Sequence, residues 1–175
     1  MSTPRTFRLN SWVLEEIEKE AARQRISVNS LVNRLLEGYV VYGRYREHFD
    51  IITLNRETFL RLLKEVDEEK LSKIALERGA KTPRELIPLC GKSLDFEGVK
   101  FFLKTVLQDN CHWFIMHMFE EEDEVKIILR HQWGGKWSIW LKHYVKALFK
   151  EILKVDIEFI EISNSYVFFK VPRSN

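Results

Sequence analysis

Cysteine is nearly absent: Cys90 and Cys111 are the only two among 175 residues. They lack metal-motif spacing and are too few for a disulfide scaffold, so two free buried thiols are expected. Glycine (7) and proline (4) are also scarce, and there is no low-complexity tract or internal repeat, which argues against a disordered chain. No run approaches the ~20 consecutive apolar residues that span a bilayer, and no apolar leader opens the chain. The expectation is a cytoplasmic protein with no membrane partner. An excess of one charge is missing too, with 28 Lys+Arg against 26 Asp+Glu. Residues 1–48 carry eight basic and six acidic side chains, and the remainder is balanced. Electrostatic affinity for nucleic acid should therefore be modest. Nor does the sequence supply a nucleophile with its base, a Gly-rich phosphate loop or a convergent carboxylate pair, so neither an enzyme nor a cofactor is expected.

What is present is ample core material, 45% hydrophobic with 13% aromatic, arranged in two blocks with different patterns. In the first, Arg5-Thr6-Phe7-Arg8-Leu9-Asn10 alternates, with Phe7 and Leu9 on one face and Thr6, Arg8 and Asn10 on the other. Val13, Ile17 and Ala21 then recur every four residues, with Leu14 widening the stripe, which predicts a helix capped by Asn10 or Ser11. After a turn at Arg25-Ile26-Ser27, a second helix starts at Ser27 and bears Leu31, Val32, Leu35, Leu36, Tyr39 and Val40. A lone strand with two helices cannot satisfy its backbone or fill a core, so pairing with a second copy as an obligate homodimer is expected.

This strand, helix and helix order resembles the ribbon-helix-helix DNA-binding family over about a quarter of the chain. The resemblance implies a two-stranded ribbon in the major groove of double-stranded DNA, with Thr6, Arg8 and Asn10 reading bases and Phe7 and Leu9 in the dimer core. It also implies phosphate contacts from Arg5 and from the start of the second helix at Ser27, Val28 and Asn29. One departure is Arg25, where the family commonly has Gly; a left-handed Arg25 costs on the order of 1–2 kcal/mol.

The second block, residues 49–175, reads as an α+β domain with a sensing or oligomerisation role. The second helix is expected to run on towards Arg46 without a flexible linker. Asn55 can cap a helix carrying Phe59, Leu62, Leu63 and Val66, and Leu71, Ile74, Ala75 and Leu76 mark another that Gly79 can end. Thr82-Pro83-Arg84-Glu85 looks like a fresh helix start, and Phe96 to Leu107 carries a further helical stripe. Strands follow at 113–119 and 125–131 around the acidic run Glu120 to Glu124, which reads as a solvated hairpin loop rather than a calcium site. A long helix from about Trp137 to Leu153 and strands at 156–162 and 166–171 complete a four-stranded antiparallel sheet.

The unusual segment is His131-Gln132-Trp133-Gly134-Gly135-Lys136-Trp137-Ser138-Ile139-Trp140. Its His131, Trp133, Lys136 and Trp137 could line a pocket for an anionic or planar small-molecule effector. The residues favour a plainer role in which the Trp side chains staple the helix to the sheet. The segment also resembles the second domain of archaeal ribbon-helix-helix regulators. No metal is expected: His112, His117, His131, His143 and Cys111 do not converge and lack nickel-sensor spacing.

The leading expectation is thus a sequence-specific, dimeric transcriptional regulator or repressor, forming higher oligomers on DNA if its affinity requires them. The alternatives are an architectural DNA-binding protein, an antitoxin, and a ligand-binding protein whose first module only dimerises. The folded, hydrophobic second block argues against an antitoxin tail.

Overall fold

Short polar side chains fix where the helices begin. In the computed structural model, which describes residues 3–49 and 53–173, Ser27, Asn55, Asp67 and Asp95 each accept a hydrogen bond from the backbone N–H three residues on. The chain divides into two compact units, Met1–Arg44 and Tyr45–Asn175. The junction expected near residue 50 lies outside the described residues.

The first unit is a helix pair, α1 (Ser11–Gln24) and α2 (Val28–Val41). Arg25 turns the chain in the left-handed region, at φ 54° and ψ 41°, and its N–H closes the end of α1 on Ala21 and Ala22. The expected strand is absent. Residues 5–10 are exposed and unpaired in any ladder, with Phe7 70% and Leu9 49% accessible. The physical reason is that a strand needs a neighbour for its N–H and C=O groups, and among the described residues of this chain no segment supplies one. An amino-terminal ribbon-helix-helix is therefore corrected to two helices preceded by a segment without regular secondary structure.

The second unit is α+β. Its helices are α3 (Arg56–Glu65), α4 (Glu68–Leu89), α5 (Phe96–Phe101) and α6 (Gly135–Leu153), and a π-helical stretch, Phe102–Asn110, continues α5. Strands β1 (Ile115–Glu120), β2 (Glu124–Arg130), β3 (Glu158–Ile162) and β4 (Tyr166–Pro172) form one antiparallel sheet in the order β1-β2-β4-β3. Val125, Ile127 and Leu129 on β2 and Val167, Phe169 and Val171 on β4 alternate inward and are buried. Ile127 stands opposite Phe169 in the register. Phe149 of α6 meets Phe169 edge-on at 5.7 Å, and Leu141, Val145 and Leu148 fill the same core.

Helix α4 departs from the sequence reading. Gly79 does not end it, and Pro83 does not start another; both lie inside one 22-residue helix and both are buried. A Cβ on Gly79 would sit 2.3 Å from the Tyr144 carbonyl oxygen, so glycine here permits the close approach of α4 to α6. Proline removes one helical hydrogen bond and crowds the carbonyl four residues back, which for Pro83 belongs to Gly79. The extensive α4–α6 contact overrides that local cost. The acidic hairpin is exposed from Glu120 to Asp123, as a solvated turn would be, and its carboxylates find surface partners. Glu120 meets Lys100 at 3.1 Å and Arg173 at 2.8 Å, and Lys126 meets Glu121 at 2.7 Å.

Candidate ligand-binding groove

Beyond β2 the chain must turn sharply into α6, and His131 anchors that turn. Its backbone N–H donates to the Ser165 carbonyl at 2.7 Å. The Ser138 hydroxyl donates to the Ser163 carbonyl at 2.5 Å, leaving Ser138 Oγ to accept from His131 Nε2 at 2.9 Å. His131 Nδ1 accepts the Trp133 N–H at 3.2 Å. This network assigns a neutral imidazole protonated on Nε2. Burial pushes the His131 pKa down from 6.5 to about 4. Both ring nitrogens are occupied, so His131 is a fastener of the corner and is not poised as a general base.

Gly134 then takes φ +82° and Gly135 begins α6. Any side chain at Gly135 would meet Asn164 Oδ1 at 2.7 Å, so the turn between β3 and β4 closes one side of the corner. No side chain caps α6 at Gly134, and the first amides of the helix add a partial positive charge there.

The four pocket residues expected from the sequence divide into two roles. Trp137 is buried, donates through Nε1 to the Trp113 carbonyl at 3.1 Å, and stacks on Trp140 with centroids 6.0 Å apart. Trp113 packs edge-on against Trp137 at 5.1 Å and Tyr144 at 5.2 Å. Trp137 and His131 therefore belong to the core. Trp133 and Lys136 reach a groove of about 760 Å³ between this corner and α3. Lys136 Nζ is already engaged, donating to the Lys64 and Val66 carbonyls at 2.6 Å each, and so holds the end of α3 in place.

Sequence reasoning missed the other wall of the groove. Arg56, Leu60 and Lys64 recur every four residues along one side of α3, with Arg61 and the buried Leu63 beside them. Arg56 donates to the Gln132 carbonyl and its guanidinium lies over the Trp133 ring, 5.6 Å from the centroid. Phe59 abuts Trp133 edge-on at 5.7 Å. The available signal was the basic residues at helical spacing, which the apolar stripe of Phe59, Leu62, Leu63 and Val66 obscured; Leu62 is in fact 57% exposed. Arg56, Arg61, Lys64 and Lys136 face the groove against one carboxylate, Glu57, which pairs with Arg61 at 2.9 Å.

No family model matches the chain, and no curated protein does. Among solved structures, a trafficking protein particle complex subunit 3 from Naegleria fowleri, covalently bound to palmitic acid, is similar at 12% identity and a TM-score of 0.43. That match covers 67% of this chain and 92% of the other. A likeness of this degree transfers no role.

The DNA-binding expectations are corrected at the amino-terminal segment. Residues 5–10 belong to no strand among the described residues, so this chain does not by itself form the strand on which that reading rested. Thr6, Arg8 and Asn10, with Arg5, are exposed on a segment that pairs with no strand among the described residues. Ser27 spends its hydroxyl capping Ser30 N–H at 3.1 Å, with Val28 half-buried and Asn29 exposed beside it. Transcriptional regulator, repressor, double-stranded DNA as partner and ribbon-mediated homodimer are all set aside. Among the described residues no three His, Cys, Asp or Glu side chains gather as a metal site.

Proposed function

We propose that this chain is a non-catalytic binding protein whose carboxy-terminal unit receives a small ligand in the groove between α3 and the Trp133–Lys136 corner. The observation that carries this reading is the groove itself: about 760 Å³, walled by Leu60, Leu63 and Trp133 and bordered by charged side chains of α3 and by Lys136. Its size and its combination of an apolar wall with polar groups at the rim fit the usual character of small-molecule sites. The engaged ring nitrogens of His131 favour binding over chemistry at the same corner. No helix among the described residues is long and apolar enough to cross a membrane.

The test is ligand-observed NMR of the full chain against a mixed panel of aromatic acids, alcohols and amines. Wild type should give saturation transfer to at least one class, and Trp133→Ala should abolish it while leaving the circular dichroism spectrum unchanged. Transfer to no member of the panel would overturn the reading.

A further inference from the structure

The groove's charge identifies the class of ligand, an inference that rests on the binding role proposed above. Four cationic side chains, Arg56, Arg61, Lys64 and Lys136, border it, and Glu57 is the one acidic residue in its lining. These cations are not equivalent. Lys136 is spent on two carbonyls of α3, and Arg56 is committed to Gln132 and the Trp133 face. Arg61 is shared with Glu57, at an ion pair more than three-quarters exposed on both sides, where the interaction is weak and readily exchanged. Lys64 offers its ammonium group at the same rim, a turn further along α3. Below the rim the wall is apolar, formed by Leu60, Leu63 and the half-buried Trp133 ring.

A bare inorganic anion would leave the apolar wall wet, and a neutral apolar molecule would leave the cations without a counter-charge. An anion on an apolar body satisfies both. We propose that the groove binds a small organic anion, its carboxylate-type head at Arg61 and Lys64 and its apolar body against Trp133 and Leu60. On this arrangement Glu57 is an opponent of the ligand, because it competes for Arg61 and repels the incoming head.

Isothermal titration of the full chain with 2-naphthoate, neutral 2-naphthylmethanol and inorganic phosphate tests this directly. Naphthoate should bind most tightly, and its affinity should fall as salt is raised. Arg61→Gln with Lys64→Gln should weaken it about ten-fold, as expected for loss of charge-assisted hydrogen bonds. Glu57→Gln should strengthen it a few-fold, a gain that damage to the fold would not produce. Equal binding of naphthylmethanol, lost in Trp133→Ala, would overturn the anionic class while leaving the groove a ligand site. Equal binding of phosphate would overturn the need for an apolar body. Binding of neither naphthyl compound, together with a silent ligand panel, would overturn both readings.

Discussion

His131 shows how one side chain can fasten a turn and make the fold acid-sensitive. Its pKa is pushed below that of the unfolded chain, from 6.5 to about 4, so the unfolded state binds more protons through this window. Stability from this group is complete above pH 6.5, declines as the pH falls from 6.5 towards 4, and is flat below. The loss is at most about 3 kcal/mol. Chemical denaturation at pH 7.5 and 4.5 should show a larger acid loss for wild type than for His131→Gln; equal losses would contradict the buried neutral imidazole. Several residue roles were legible in the sequence. Asn55 caps its helix as its position suggested, and Arg25 occupies the left-handed turn. The split between Trp133 and Trp137 was not legible, because both lie in one Trp-rich string and only the packing of Trp113 decides which ring is covered.

Among the elements, α4 and α3 taught the most. Local signals at Gly79 and Pro83 argue for a break, yet the helix continues because close packing on α6 outweighs them. Gly79→Ala should force α4 away from the Tyr144 carbonyl and cost about 1–3 kcal/mol or more, read as a lower denaturant midpoint with an unchanged slope. A midpoint within error of wild type would mean the helices are not held this closely. The sheet was readable from alternation, since β2 and β4 bury every second residue. The site was not, because α3 contributes to it through exposed basic residues at helical spacing. Such residues usually mean a solvated face, and only the tertiary placement of Arg56 over Trp133 distinguishes this one.

At the scale of the whole molecule, two units carry unequal shares of the structure. The amino-terminal helix pair matched a familiar pattern in sequence, yet its leading segment forms no strand. Pattern alone could not supply the neighbour that a strand needs. The carboxy-terminal unit holds the sheet, the long helices and the groove, and the functional account rests there. Its five tryptophans also provide the means of testing it, since each indole N–H reports from a different place. The measurement that tests the central claim most directly is the indole region of a nitrogen-15 correlation spectrum of the full chain during titration with 2-naphthoate, with Trp133 assigned by Trp133→Phe. The account predicts a saturable shift of the Trp133 indole signal, with that of Trp12 in the other unit unmoved. A titration that moves Trp12 alone, or leaves Trp133 in place, would contradict it.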